Sequence, residues 1–215
     1  MMTCSNSEWV RGRTTSFKKD IAVFTGIEMK IEVTNRCLHG RCRFCSPLFR
    51  PTVREAEPKE FLEQLDLHLD HYLGNGGRRI LLTGGGEPID APEKLFGALE
   101  LIKRKKVGVG VELELLTVFT NGVNILNKVA LNASETYLDV LLRLGVRDIN
   151  LSMHGGTMEE RTHISGKYMG RIDVDQLIPE MVNRGVRVMT RSVLAEGGID
   201  SMKKIDAFAR HMESL

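Results

Sequence analysis

A chain of 215 residues is long enough for one domain with a substantial core, and 42% apolar with 27% charged residues is the ordinary balance of a soluble globular protein. Lys and Arg total 30 against 28 Asp and Glu, which argues against nucleic acid or an anionic membrane surface as the partner of the whole chain. No run reaches the ~20 apolar residues of a membrane helix. The first twenty residues show no secretory signal, and three of the four cysteines are clustered, so a reducing, cytoplasmic setting is expected rather than a disulfide framework.

Residues 1–20 are polar and irregular and read as an N-terminal arm, pinned by Trp9 and Phe17, ahead of a domain over 21–215. From there strand and helix patterns alternate. Met29, Ile31 and Val33 alternate in a strand over 29–34. A helix over 58–73 starts on Pro58, turns Phe61, Leu65, Leu69 and Tyr72 to one side, and stops at Gly74. The apolar run Arg79–Thr83 is a second strand. Pro92 opens the next helix, with Leu95, Phe96, Leu99 and Ile102 inward and a solvated basic end at Lys103–Lys106. A third strand covers 111–120 and ends in Asn121-Gly122. The helix carrying Leu138, Leu141 and Leu142 follows, then a fourth strand over 148–153. Pro179 interrupts the stripe Leu177, Ile178, Met181, Val182, so that helix starts near Ile178 or kinks there. Gly185 ends it, 186–193 is a fifth strand, and Met202, Ile205, Phe208, Ala209 and Met212 mark a last helix.

Strict alternation predicts an α/β fold, and right-handed crossovers would wind it into a partial (β/α) barrel of about five to six parallel βα units. An open doubly wound sheet is the alternative. Every reactive candidate follows a strand, on the C-terminal rim where barrel enzymes place their sites.

Cys37, Cys42 and Cys45, spaced Cys-x4-Cys-x2-Cys, follow the first strand. Three thiolates on one loop can grip a metal centre and leave one position open. On the cysteines alone, zinc, with His39 or Cys4 as fourth ligand, and an iron–sulfur cluster are equally good readings. Arg36, Arg41 and Arg43 are interleaved with them and are expected to lower the thiol pKa values. At the end of the second strand Gly84, Gly85 and Gly86 precede Glu87, and glycines without β-carbons let a ligand lie against bare backbone.

Cys37…Cys42-Arg43-Phe44-Cys45 followed by Thr83-Gly84-Gly85-Gly86-Glu87-Pro88 resembles the radical S-adenosylmethionine (radical SAM) superfamily. Phe119-Thr120-Asn121-Gly122, Asn150–Gly155 and Ile164-Ser165-Gly166 are similar to its later strand ends, nearest to the peptide-modifying and molybdopterin-type branches. The resemblance implies that Cys37, Cys42 and Cys45 bind a [4Fe–4S] cluster whose fourth iron chelates SAM. It implies that Phe44 lies near the adenine, and that Gly84, Gly85, Gly86 and Glu87 meet the methionine amino group. Asn121 and Ser152 are further candidate SAM contacts, and Arg191 is the candidate for its carboxylate by bidentate geometry. Reductive cleavage of SAM to a 5′-deoxyadenosyl radical would then abstract hydrogen from a peptide or small-molecule substrate, with flavodoxin or ferredoxin as electron donor. The family's usual spacing is Cys-x3-Cys-x2-Cys and its core has six units; here Gly40 is expected to absorb one extra residue, and five units are read. A zinc-binding interaction module and a SAM-binding fragment without turnover are the competing expectations. His154, Arg161, His163 and Tyr168 follow the fourth strand within reach of a substrate, and none is singled out as catalytic.

Overall fold

The structure is a computed structural model that describes residues 22–24, 28–38, 42–45, 55–130, 132–170 and 172–215. The arm read over 1–20, with Cys4, Trp9 and Phe17, and the loop residues His39, Gly40 and Arg41 lie outside the described residues.

Eight strands and seven helices follow one another along the described chain. Strand β1 (Ala22–Phe24) pairs antiparallel with β2 (Met29–Glu32). Helix α1 (Pro58–Gly74) leads to β3 (Arg79–Thr83), a short 3-10 turn (Pro88–Asp90) and α2 (Pro92–Val109). Then come β4 (Leu115–Thr120), a small hairpin of β5 (Lys128–Val129) and β6 (Asn132–Thr136), and α3 (Tyr137–Arg143). The chain continues through β7 (Asp148–Ser152), α4 (Met158–Ser165), α5 (Lys167–Gly170), α6 (Val174–Asn183), β8 (Arg187–Arg191) and α7 (Met202–Glu213).

The main sheet runs β1-β2-β3-β4-β7-β8, and every pair from β2 to β8 is parallel. The parallel strands stand in chain order without the reversal that marks a doubly wound sheet, so the sheet winds one way, as in a partial (β/α) barrel. Their C-terminal ends come level: Glu32 lies beside Thr83, Leu82 beside Val118, Thr120 beside Leu151, and Ser152 beside Arg191.

Apolar stripes account for the packing. Met29 and Ile31, Ile80 and Leu82, Val118, and Ile149 and Leu151 share one core with Phe61, Leu65 and Leu69 of α1 and Leu95, Leu99 and Ile102 of α2. Tyr72 ties α1 to β3: its hydroxyl donates to Arg79 O at 2.7 Å and accepts from Arg79 N–H at 3.0 Å. Strand β8 is different, because its side chains alternate between exposed and half-buried, with Met189 58% exposed.

Several boundaries move for identifiable reasons. Residues 111–114, read as strand, are connector, and Glu114 N–H is taken by Arg78 O at 2.9 Å before β4 begins. Helix α6 begins at Val174, ahead of the start near Ile178, and runs through Pro179 as the other reading has it. Asp173 caps it through Gln176 N–H at 3.2 Å, which leaves Pro179 in the middle of the helix. The basic run after Ile102 is held by ion pairs: Lys105 lies 2.7 Å from Asp70 and 3.1 Å from Asp66, Arg104 3.7 Å from Asp66, and Lys106 3.8 Å from Glu112.

Candidate active site

At the C-terminal rim the cysteine loop and the glycine turn are joined through backbone. Val33 N–H donates to Thr83 O at 2.8 Å, Gly86 N–H to Thr34 O at 3.0 Å, and Glu87 N–H to Arg36 O at 2.8 Å. A Cβ on Gly84 would come within 2.5 Å of Thr34 O, and one on Gly86 within 1.9 Å of Arg36 O. The bare backbone of these two glycines is therefore covered by the chain itself, on the side where a side chain would project. Glu55 holds the same loop from outside. It accepts from Thr34 Oγ1 at 2.8 Å and from Asn35 N–H, and it pairs with the buried Lys94 at 3.1 Å. Burial raises the Glu55 pKa, but the bonds from Asn35, Thr34 and Lys94 outweigh it and hold the carboxyl below its usual value.

Glu87 turns inward. Its carboxylate is 5% exposed and accepts from Thr120 Oγ1 at 2.8 Å, Ile89 N–H at 3.2 Å and Asn121 N–H at 2.6 Å. Thr120 Oγ1 already accepts from Gly122 N–H at 3.0 Å, so its own proton goes to Glu87. Burial pushes the Glu87 carboxyl up to about 7, against the pull of those donors. The sequence reading sets Glu87 against an ammonium group; in the structure its carboxylate joins the glycine turn to the end of β4.

The three cysteines are not joined in a disulfide, and each is half-buried. Cys45 N–H donates to Cys42 O at 3.0 Å, closing a turn. Asn121 Nδ2 faces Cys37 Sγ at 3.9 Å, while Asn121 Oδ1 accepts from Val123 N–H at 2.9 Å. Cys42 Sγ lies 3.8 Å from Met169 Sδ. Burial pushes the Cys42 thiol up and the Ser165 hydroxyl beside it pulls it back. This reverses the expectation that the interleaved arginines set that thiol's acidity. Arg36 is 79% exposed in its side chain and turns to Glu55 at 3.8 Å, and Arg43 turns to His163 at 3.0 Å. Asp90 clamps the loop start, taking Leu38 N–H at 2.7 Å and Asn124 Nδ2 at 3.3 Å.

On the far side of the rim, Phe44 meets His154 edge to face, with ring centroids 4.5 Å apart. Burial lowers the His154 pKa to about 4, and Nδ1 accepts from Val193 N–H at 3.2 Å, so the ring is neutral with its proton on Nε2. Arg191 Nε donates to Asn150 Oδ1 at 2.8 Å, and its guanidinium lies 4.8 Å from the Phe119 ring centre. Ser152 is half-buried beside it in register. Arg161 is buried and gives its Nη atoms to Gly156 O and Ile172 O at 3.2 and 3.3 Å, a scaffold role, and Tyr168 is exposed.

Residues 31–204 match the family model of the radical SAM superfamily. The chain belongs to that superfamily. A GTP 3′,8-cyclase from Rhizobium etli is 30% identical over 178 residues, covering 80% of this chain and 45% of that protein. A probable dual-specificity RNA methyltransferase RlmN from Clostridioides difficile is 24% identical over 180 residues, 81% of this chain and 48% of that one. The chain thus spans less than half the length of these curated relatives. The crystal structure of HydG, a maturase of the [FeFe]-hydrogenase, superposes on 87% of this chain and 39% of that chain with a TM-score of 0.57 at 14% identity. That likeness is one of fold, and the fold is the radical SAM core read from the sequence.

The donor set fits an iron–sulfur cluster: three soft thiols on one strand-end loop, with an amide N–H aimed at one sulfur. Among the described residues no three His, Cys, Asp or Glu side chains are gathered as ligands of a single ion. Sequence reasoning missed Glu55 and Asp90, and it quoted Ser165 within Ile164-Ser165-Gly166 without the link to Cys42. Lys94 was a usable signal, being a cation beside Leu95 on the inward stripe of α2, where burial demands a partner such as Glu55.

Proposed function

We propose that the chain is the catalytic core of a radical SAM enzyme, with a [4Fe–4S] cluster held by Cys37, Cys42 and Cys45 and SAM seated on the rim beside it. The observation that supports this most is the backbone docking of the cysteine loop on the glycine turn, through Gly86 N–H to Thr34 O and Glu87 N–H to Arg36 O. Bound there, the pair supplies one chemistry, reductive SAM cleavage leading to hydrogen abstraction from a substrate. The chain's own residues orient and enclose. Phe44, braced by His154, offers a ring to the adenine. Arg191, fixed through Asn150, offers a guanidinium to the methionine carboxylate, and Ser152 is in register to reach the ribose. Glu87 acts through Thr120 and Asn121 and keeps the backbone of the glycine turn in position for the amino group.

The substrate on this reading is a small molecule or peptide. The relative named for GTP supports a small molecule. The relatives named as RNA methyltransferases carry an RNA alternative, which the near-balanced charge of this chain disfavours. A flavodoxin or ferredoxin would be the electron donor.

Anaerobic reconstitution with iron and sulfide, followed by EPR of the reduced protein with and without SAM, tests the proposal. The expected result is a [4Fe–4S]⁺ signal that changes on adding SAM, with 5′-deoxyadenosine released under reducing conditions. Stoichiometric zinc and no cluster would replace it with a non-redox zinc module.

A further inference from the structure

The three cysteines do not have equivalent surroundings. Asn121 opens the turn after β4 with its amide fixed at two points. Its backbone N–H is held by Glu87 Oε2 at 2.6 Å, and its Oδ1 receives Val123 N–H at 2.9 Å. Only an oxygen can accept from that backbone N–H, so the Nδ2 group is the one that faces Cys37 Sγ, at 3.9 Å. The turn itself does not require Nδ2. Oδ1 makes the turn, and the left-handed position that follows is taken by Gly122, at φ +79°.

Ser165 closes α4 on the other side of the loop. Its hydroxyl is 1% exposed, has no nitrogen or oxygen partner, and lies beside the Cys42 thiol. The register between helix end and loop is set by Arg43 N–H donating to Ile164 O at 3.0 Å. A buried hydroxyl without a partner is expensive to keep unless something at that place uses its proton.

We propose that Asn121 and Ser165 are positioning residues that donate hydrogen bonds to the ligand sulfurs of Cys37 and Cys42 and thereby raise the reduction potential of the cluster. This rests on the reading that these cysteines hold a cluster. The physical cause is that an added electron spreads onto the sulfurs, so N–H and O–H donors stabilise the reduced form more than the oxidised one. Both donors come from outside the cysteine loop, one from the end of β4 and one from the end of α4. The packing of two separate elements thus sets the potential.

The test is an EPR-monitored redox titration, without SAM, of the reconstituted full chain and its Asn121→Ser, Ser165→Ala and Ser165→Thr variants, with iron and sulfide counted for each. Asn121→Ser keeps an oxygen near Val123 N–H but withdraws the donor from Cys37. Ser165→Ala removes only the hydroxyl, and Ser165→Thr retains it. The expected result is wild-type iron content in all three, with Asn121→Ser and Ser165→Ala titrating at lower potential and Ser165→Thr close to wild type. At the wild-type midpoint the reduced-to-oxidised ratio should fall several-fold in each, a tenfold fall being ~59 mV for one electron. Cluster lost in Ser165→Ala and restored in Ser165→Thr also supports the hydroxyl, whereas loss in both overturns its role. Iron lost from Asn121→Ser overturns a tuning role there. Intact clusters with unchanged potentials overturn the inference and leave the cluster standing. A wild-type protein that builds no cluster overturns both.

Discussion

Gly86→Ala tests whether the glycine turn is a scaffold for the cysteine loop. A methyl at this position would lie 1.9 Å from Arg36 O, 2.3 Å from Arg36 C and 2.5 Å from Arg36 N, all backbone atoms that no rotamer change can move. The loop must therefore lift away, which strains or breaks Gly86 N–H to Thr34 O and Glu87 N–H to Arg36 O, now 3.0 and 2.8 Å. Overpacking costs about 1–3 kcal/mol, and two backbone hydrogen bonds add about 1 kcal/mol each, giving a loss of roughly 3–5 kcal/mol. Against the ~5–15 kcal/mol that holds a typical domain, such a loss lowers the urea midpoint by more than about 1 M. Gly74→Ala is the control. It sits at the end of α1 with nothing within 4 Å of the added methyl, so it should leave stability unchanged or slightly raised. Equilibrium urea unfolding followed by circular dichroism measures both. A Gly86→Ala protein as stable as Gly74→Ala would refute the close approach on which the account depends.

Cys42→Ala should abolish iron uptake on reconstitution, and full iron in that variant sinks the cluster assignment. Glu87→Gln removes a carboxyl that burial raises to about 7, so the native state binds this proton more tightly than the unfolded chain does. The stability this contributes is complete below pH ~4.5, the ordinary carboxyl range. Relative to Glu87→Gln, wild type should lose stability as pH rises from there to 7, and parallel pH profiles from thermal unfolding would contradict it. Lys94→Met leaves the half-buried Glu55 without its cation, since their side chains are 9% and 13% exposed and 3.1 Å apart. A loss of about 3 kcal/mol is expected, and a neutral urea midpoint would show that Thr34 and Asn35 alone satisfy that carboxylate.

Elements with clear apolar periodicity were legible, some almost to the residue: Arg79–Thr83 is β3 as read and α1 differs by one residue at its end, whereas β4 starts four residues later than read. What was not legible lacks periodicity. Strand β6, Asn132–Thr136, is Asn-Ala-Ser-Glu-Thr and looks like loop; it pairs only with β5, and Tyr137 N–H donates to Asn127 O at 3.0 Å as helix α3 begins. Strand β1 has three residues and pairs antiparallel at the sheet edge, where no crossover announces it. At the rim, residue type located the loops but not the contacts among them. Asn121 reads as half of an Asn-Gly turn. Its side-chain partner, Cys37, stands 84 positions away and becomes its neighbour only when β2, β3 and β4 align.

Glycines show the same limit from the opposite side. In Thr83-Gly84-Gly85-Gly86-Glu87 they read as space for a ligand, yet at Gly84 and Gly86 the space is filled by Thr34 and Arg36. The turn that would present backbone to SAM is thus also the bed on which the cysteine loop lies. Damage at Gly86 should lower iron content and SAM affinity together. Arg191 touches Asn150 and Phe119, well along the rim on β8, and its backbone O accepts from Met153 N–H whatever the side chain. Arg191→Met should therefore weaken SAM binding at least tenfold, about the 1.4 kcal/mol of one good charged hydrogen bond, with iron content and the cluster's EPR signal before SAM addition unchanged. If iron falls in Arg191→Met as it does in Gly86→Ala, the rim is one cooperative unit and the division between a cluster bed and a SAM edge is wrong.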